Sequence, residues 1–159
     1  MKKIKIVLVS DNHGMRECLA QVRKMHADAD YFMHCGDSSL PGYLMEGFAT
    51  VKGNNDYYGE YPLMKVLHVG EHVIYLTHGH CDMFMRQYKM LADKARSFGC
   101  DLCFFGHTHI PLDTQIDGVR LLNPGSICFN RDGSEPSYMI VTLEGKSVEA
   151  KLLRYQRIK

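Results

Sequence analysis

Long apolar segments are missing from this 159-residue chain, in which no run reaches 18 apolar residues. A helix that crosses a membrane needs about 20 such residues, so the sequence predicts no membrane span. At the start, two lysines lead into a short apolar stretch rather than into the longer apolar segment of a secretory signal. We therefore expect a cytoplasmic protein without a membrane partner.

Charge of one sign is also scarce. The 19 Lys and Arg residues nearly balance the 18 Asp and Glu residues, and no block of five or more like charges occurs. Nucleic-acid-binding surfaces normally carry clustered Lys and Arg, so this composition shows no nucleic-acid footprint.

A disulfide framework is not expected either, although the chain has six cysteines. They are scattered through apolar stretches at positions 18, 35, 81, 100, 103 and 128, as buried thiols in a reducing compartment would be. Cys100 and Cys103 form a single C-x-x-C pair, whereas a zinc ribbon needs two. Because this pair spans the predicted end of a helix and the start of a strand, we interpret both cysteines as structural.

Repeats, linkers and low-complexity segments do not occur, so we predict a single domain over residues 1–159. Apolar segments predict strands at 3–10, 31–35, 48–52, 65–69, 72–77 and 101–105. Helical spacing predicts helices over 14–28 and 84–99, and the inward stripe of the second is Phe84, Tyr88, Leu91, Ala95 and Phe98. Later strands are predicted at 110–117, 119–123, 137–145 and 147–155. The pattern indicates an α/β fold that becomes mostly antiparallel toward its end.

Polar clusters follow six of these strands, each at the point where the strand ends. They are Asp11-Asn12-His13, Cys35-Gly36-Asp37, Gly53-Asn54-Asn55-Asp56, His78-Gly79-His80, Gly106-His107-Thr108-His109 and Asn123-Pro124-Gly125-Ser126. The carboxyl ends of strands in an α/β sheet share one edge, and adjacent strands lie about 4.8 Å apart. We therefore expect these side chains to converge.

The convergent side chains offer two carboxylates, one amide oxygen and four imidazoles: Asp11, Asp37, Asn54, His13, His78, His107 and His109. This mixture suits Mn, Fe, Co or Zn better than Ca or Mg. Seven ligands exceed one tetrahedral zinc and suit two ions about 3.5 to 4 Å apart with a bridging carboxylate. Such a site stays net positive, so it would attract a phosphate that a bridging hydroxide could attack in line. Each motif alone also fits an ordinary polar loop, but their shared position after strands favours a metal centre.

The motifs D-x-H, G-D, G-N-x-D, H-G-H, G-H-T-H and N-P-G-S together resemble the calcineurin-like metallophosphoesterase superfamily, in particular its small YfcE-type phosphodiesterase branch. The resemblance implies a four-layer αββα sandwich of two mixed β-sheets flanked by helices. It implies hydrolysis of a small phosphodiester substrate and a tendency to form homo-oligomers. It also implies two divalent ions, manganese first, with Fe, Zn, Co and Ni as alternatives.

The resemblance assigns roles to the seven candidates. Asp11, His13 and His109 would hold the first ion, and Asn54, His78 and His107 the second. Asp37 would bridge the two ions, and Asp37, Asn54 and His78 would form the centre of catalysis.

Two positions depart from the family pattern. Asn55 stands where the larger enzymes have a histidine that helps to protonate the leaving group, and where the small branch often has cysteine. An amide cannot donate that proton, so we expect a preference for leaving groups of low pKa. Asn130 stands where the small branch often has proline before an arginine. The arginine, Arg131, remains and is considered for phosphate contact, although a solvated loop position is the preferred explanation.

Other polar residues receive weaker assignments. Asp56 and His80 lie beside predicted ligands and are considered for substrate contact or for orienting a ligand. Four histidines away from the clusters are interpreted as structural: His26, His34, His68 and His72. The loops 38–47 and 55–62 are expected to set specificity.

Two rival functions stay open. The retromer complex contains a small subunit of this fold that serves as a scaffold, in which metal residues are partly replaced. A phosphomonoesterase would use the same ions with a different pocket. The retention of ligand-competent residues at all seven positions favours an enzyme over the scaffold.

Overall fold

The computed structural model of the chain describes residues 2–57 and 60–156. Two α-helices and ten β-strands form within this part of the chain. The helices are α1 (Glu17–Met25) and α2 (Tyr88–Ser97). The strands are β1 (Lys3–Val9), β2 (Tyr31–His34), β3 (Phe48–Thr50), β4 (Met64–Val69), β5 (His72–Thr77), β6 (Leu102–Phe104), β7 (Leu112–Ile116), β8 (Val119–Asn123), β9 (Ser137–Glu144) and β10 (Ser147–Arg154).

The strands form two five-stranded sheets. The first has the order β10-β9-β1-β2-β3, in which β1, β2 and β3 are parallel and β9 runs antiparallel to β1. The second has the order β4-β5-β6-β8-β7, in which β5, β6 and β8 are parallel. Both sheets are therefore mixed. The sequence pattern predicted mostly antiparallel strands in the last third of the chain. There β8 pairs antiparallel with β7 on one side but parallel with β6 on the other.

Three apolar layers separate four layers of structure. Ile6, Leu8, Leu76 and Phe104 belong to the cluster between the sheets. A second cluster packs the outer face of the first sheet against Leu19 and Val22 of α1 and a third packs the other sheet against α2. This arrangement confirms the predicted αββα sandwich. Among the described residues, no helix is long and apolar enough to cross a membrane.

The second helix is shorter than its sequence pattern predicts. α2 begins at Tyr88, and the preceding segment turns, with Met85 in the left-handed region at φ 57°. Leu91 and Ala95 are buried as predicted, but Phe84 lies before the helix and is 66% exposed. The prediction that Phe84 belongs to the inward stripe is therefore wrong, because the chain leaves helical geometry before that stripe can extend back to it. Phe98 follows the helix and is also exposed.

The cysteines are mostly buried. Burial raises the pKa of Cys100 to about 11 and the pKa of Cys103 well above its ordinary value, so neither thiol of the C-x-x-C pair forms a reactive thiolate near neutral pH. Cys81 is exposed, against the expectation of buried thiols, because it lies in the turn after β5 rather than in a strand or helix.

One predicted structural histidine supports the strand ends. His34, fully buried at the end of β2, has Nε2 2.8 Å from Oδ1 of Asn12, and its Nδ1 accepts a hydrogen bond from the backbone N–H of Gly36. This pattern requires the neutral ring with its proton on Nε2. Burial lowers the pKa of His34 to about 4, although the charge of Asp11 opposes the shift.

The inter-sheet core should dominate stability. Replacing Phe104, which is 0% exposed, with Ala should lower the free energy of unfolding by about 3 to 5 kcal/mol. The same substitution at exposed Phe84 should change it by less than about 0.5 kcal/mol. Denaturant titration measures both, and equal losses in the two variants would contradict this packing.

His34 should make stability depend on pH. The folded state keeps this ring neutral down to about pH 4, whereas the unfolded chain protonates it near its ordinary value of 6.5. The unfolded state therefore binds more protons between these values, so stability falls as the pH drops through that window. From pH 7 to pH 5, wild-type protein should lose about 2 kcal/mol more than His34→Gln, because glutamine keeps both hydrogen bonds without titrating. Denaturant titrations in the presence of a chelator measure the two slopes, and identical slopes would refute the assignment.

Candidate metal centre

The polar loops after the parallel strands meet at one rim of the sandwich. The backbone N–H groups of Asp11 and His13 donate to the carbonyls of Gly36 and Asp37, at 3.1 and 3.0 Å. In the second sheet, Gly106 N–H donates to the carbonyl of His78 at 3.1 Å. These bonds bring the loops after β1, β2, β5 and β6 together, as the pattern of strand ends predicted.

The first predicted ligand set forms a compact group. Oδ1 of Asp11 lies 3.2 Å from Nε2 of His109 and 3.8 Å from Nε2 of His13. The two imidazole nitrogens are 3.0 Å apart. Donor atoms that share one ion at about 2.1 Å lie about 3 to 3.4 Å from one another, so two of these three distances have the spacing of a common coordination sphere and the third is slightly longer.

The second predicted set lies next to the first. Nε2 of His78 is 2.9 Å from Oδ1 of Asn54 and 3.4 Å from Oδ2 of Asp37. Nδ1 of His107 is 3.2 Å from the same Asn54 oxygen. Asp37 Oδ2 is also within 4.0 Å of His13 Nε2, so its carboxylate lies between the two groups. All seven predicted ligands therefore come together at this rim.

The hydrogen bonds of the site fit bound cations. His78 and His109 donate their Nδ1 protons to the carbonyls of Cys35 and Phe129, each at 2.7 Å, which leaves both Nε2 atoms unprotonated in the neutral rings. Oδ1 of Asp11 is buried within 3.9 Å of these two nitrogens and of Nε2 of His13, and it has no hydrogen-bond partner among the described residues. A buried carboxylate oxygen without a donor is costly, and a divalent cation would satisfy it.

Backbone strain is concentrated at the predicted ligands. Five of them adopt left-handed φ angles between 44° and 70°: Asp11, His13, Asp37, His107 and His109. Such angles are uncommon outside glycine and cluster at functional sites. The strain is maintained because the surrounding loop contacts fix the backbone.

Two glycines permit the close approach of the loops. A Cβ atom on Gly53 would lie 2.1 Å from Oδ1 of Asp37, and one on Gly106 would lie 2.1 Å from the hydroxyl oxygen of Ser10 and 2.6 Å from Oδ2 of Asp11. Glycine is therefore required at both positions for the carboxylates to reach their places.

Asn55 and Asp56 both hold Asp37 in place, in different ways. The backbone N–H and the side-chain amide of Asn55 donate to the two carboxylate oxygens of Asp37, at 2.8 and 2.9 Å. Asp56 is 3% exposed, and its carboxylate accepts three backbone N–H groups, from Asp37, Ser39 and Gly53. Asp56 thus fixes the backbone around Asp37, and its carboxylate is buried rather than directed toward open solvent.

The charges of the site support one another. Burial alone would raise the pKa of Asp37, but the hydrogen bond and charge of His78 and the N–H donors of Asn55 lower it below its ordinary range. Burial alone would lower the pKa of His78, but the carboxylates of Asp37 and Asp11 outweigh this effect, so the pKa is raised overall. Both carboxylates therefore stay ionised near neutral pH and remain available to a cation.

Several positioning residues were not assigned from the sequence. The hydroxyl of Ser126 donates to the Asp11 carbonyl at 2.7 Å. Asn130 is buried, and its Oδ1 accepts the Ser126 N–H at 2.6 Å. Asn123 donates to the carbonyl of Gly106 at 3.1 Å. The N-P-G-S motif thus braces the ligand loops; its position after a strand was visible in the sequence, but its contacts were not.

The remaining candidates lie at the edge of the site. The His80 ring is centred 5.3 Å from that of His78 and 6.2 Å from that of His107, and its buried Nδ1 has no partner among the described residues. Arg131 is exposed and lines a cavity next to His107. In the loop 55–62, Tyr57 is 85% exposed, and residues 58 and 59 lie outside the described part of the chain.

Comparison with known proteins agrees with this geometry. Residues 4–146 match the model of the calcineurin-like phosphoesterase superfamily domain. Probable metallophosphoesterase YsnB of Bacillus subtilis (strain 168) is 35% identical over 149 residues, which cover 92% of this chain and 88% of that protein.

Solved structures share the fold. A conserved protein of Streptococcus pneumoniae TIGR4, described as a predicted phosphoesterase, has a TM-score of 0.90 and 32% identity over 97% of this chain and 91% of that one. Yfce, a phosphoesterase from E. coli, has a TM-score of 0.65 and 20% identity over 87% and 91% of the two chains. Vacuolar Protein Sorting 29 from Cryptosporidium parvum has a TM-score of 0.78 and 20% identity over 98% and 99%. The last two show the fold alone, whereas the matching family model and the B. subtilis relative establish that this chain belongs to the calcineurin-like phosphoesterase superfamily.

Proposed function

We propose that the protein is a dinuclear metal-dependent phosphodiesterase. The family consists of metal-dependent phosphoesterases. The observation that carries the proposal is the buried, unpartnered Oδ1 of Asp11, surrounded by imidazole nitrogens at 3.2 to 3.9 Å. These nitrogens include Nε2 of His109, whose ring uses its neutral-state proton on Phe129 and cannot donate to Asp11 at the same time.

The residues divide into two overlapping sets. Asp11, His13 and His109 would hold the first ion. Their donor atoms all lie within 4.8 Å of one another, which supports this assignment. Asn54, His78 and His107 would hold the second, with Asp37 shared between the ions. The mixed nitrogen and oxygen ligands are compatible with manganese, which the family resemblance puts first, and with Fe, Zn, Co and Ni as alternatives.

The residues of the chain prepare the site for hydrolysis of a phosphodiester. When bound, a pair of divalent ions lowers the pKa of water and neutralises charge on phosphoryl oxygens. Asn55 fixes the plane of the Asp37 carboxylate, and the uncharged oxygen of Asn54 limits the negative charge of the site. His13 and Asn54 are exposed, so a substrate can approach from the rim while Asp11 and His78 stay buried.

Asn55 also bears on the choice of leaving group. Its amide donates to Asp37 and has no titrating proton near neutral pH, so it cannot protonate a departing alkoxide. The proposed enzyme should therefore prefer esters whose leaving groups depart without a proton, such as phenolates.

A scaffold function is the alternative, with which the shared fold of Vacuolar Protein Sorting 29 is compatible. Exposed apolar side chains such as Tyr43 and Phe84 would then carry the interaction. The convergence of seven ligand-competent residues on an unsatisfied carboxylate supports the enzyme instead. A phosphomonoesterase would use the same residues, and assays with both ester classes separate it from the proposed activity.

Asp37 should be essential for metal retention and turnover. Asp37→Asn keeps the shape of the side chain and tolerates the left-handed backbone, but it removes the shared negative charge. We expect bound manganese to fall below one ion per chain and hydrolysis of bis(p-nitrophenyl) phosphate to fall by about 100-fold or more. Elemental analysis and a chromogenic assay measure these effects, with exposed Asp93→Asn as the matched control. Full metal content and turnover in Asp37→Asn would rule out the shared-carboxylate site.

Substitution of Asn55 tests the leaving-group preference. Asn55→His supplies a side chain that can donate a proton, so the ratio of the rate on an alkyl phosphodiester to the rate on a p-nitrophenyl diester should rise by about 10-fold. The ratio is the informative quantity, because loss of the amide bond to Asp37 lowers both rates together. An unchanged ratio would remove the argument that Asn55 restricts the leaving group.

A further inference from the structure

A cavity of about 410 Å³ adjoins the candidate metal centre. It is lined by Met85, Arg86, His107, Thr108 and Arg131. Because His107 belongs both to the cavity and to the proposed ligands, a molecule bound at the metal centre can extend directly into this space. The volume lies within the range of about 300 to 1,000 Å³ that is usual for small-ligand sites.

Both arginines of the cavity are available to an incoming anion. Among the described residues, neither the Arg86 nor the Arg131 guanidinium has a hydrogen bond or an ion pair, and no carboxylate lines the cavity. Four other arginines of the described residues have side-chain partners, namely Arg23, Arg96, Arg120 and Arg154, whereas exposed Arg16 has none. A planar guanidinium suits two parallel hydrogen bonds to a carboxylate or phosphate.

Backbone hydrogen bonds fix Arg131 to the metal centre and Arg86 to the start of α2. The N–H of Arg131 donates to the carbonyl of His109 at 2.9 Å, so this residue is fixed to the loop that carries two proposed ligands. Arg86 follows the left-handed Met85 and accepts the N–H of Tyr88 at its carbonyl, at the start of α2. The two cationic residues thus approach the cavity from separate elements.

The charge of this region exceeds what a simple diester can balance. Two divalent ions, balanced by the carboxylates of Asp11 and Asp37 and by one hydroxide, would leave one positive charge, and the two guanidiniums add two more. A phosphodiester contributes one negative charge. A substrate with a second anionic group would neutralise more of this charge and would place that group beside the arginines.

We propose that the cavity between Arg86 and Arg131 is a subsite for a second oxyanion of the substrate. The substrate class is a phosphodiester in which one alcohol portion carries a carboxylate or a further phosphate. This inference rests on the proposed phosphodiesterase function, since His107 connects the subsite to the scissile phosphate. Arg86 and Arg131 are then specificity-determining residues that act mainly on substrate binding.

A matched pair of chromogenic substrates tests the subsite. The p-nitrophenyl phosphodiesters of propanol and of 3-hydroxypropionate differ in one terminal carboxylate. Manganese-loaded protein should favour the carboxylate ester by about 10-fold in kcat/KM, chiefly through a lower KM. Arg86→Gln and Arg131→Gln should each reduce this preference, and the double variant should abolish it. Lys151→Gln, which removes one exposed charge elsewhere, should retain it. A third diester that ends in phosphate ranks the two oxyanions.

A binding measurement separates the subsite from the catalytic proposal. Titration calorimetry of manganese-loaded protein with 3-phosphonopropionate and with propylphosphonate should show tighter binding of the former by about 5- to 10-fold, and the double variant should lose this difference. Absence of discrimination in wild-type protein would overturn the subsite, whatever the rate of hydrolysis. Discrimination between the phosphonates without hydrolysis of either diester would instead overturn the phosphodiesterase and leave the anion subsite standing.

Discussion

The rim of the sandwich depends on one electrostatic constraint, the need to satisfy a buried carboxylate oxygen. Oδ1 of Asp11 lies inside a ring of imidazole nitrogens and lacks a hydrogen-bond donor among the described residues. In the neutral rings of His78 and His109 the single proton is on Nδ1 and is donated to a carbonyl oxygen, so Nε2 supplies no donor. A cation resolves this conflict, and the glycines, serines and asparagines of the rim keep the ligands ready for it.

Much of this arrangement could be predicted from the sequence because the polar clusters directly follow the strands along the chain. The β-branched strands are covered on both faces by sheet or helix, so their apolar runs could be recognised, and the strands predicted at 110–117, 119–123, 137–145 and 147–155 pair as the hairpins β7–β8 and β9–β10. Parallel strands placed their carboxyl ends together, which brought the polar clusters to one edge. The family resemblance and the αββα fold were confirmed. The division of the ligands between two ions stays a prediction.

The parts that could not be predicted depend on contacts between distant residues. The neighbouring sequence does not indicate that the side chain of Asn55 donates to Asp37, or that Asp56 is a buried acceptor of backbone N–H groups. The pairing of Arg86 with Arg131 around one cavity likewise required the turn that ends before Tyr88, and the helical spacing of the sequence concealed that turn. Periodicity reports local structure, whereas such partnerships arise only when the sheets pack.

The left-handed backbone at five of the proposed ligands has a consequence for how this family changes over time. Conformations of this kind favour glycine, asparagine, aspartate and histidine independently of metal binding. A descendant that no longer used metals would still be selected for those residues by its loop geometry. Recognisable motifs can therefore outlast the chemistry that first required them, and His78 and Asn54, which lie outside the left-handed region, are a more sensitive record of retained activity than the other five ligands.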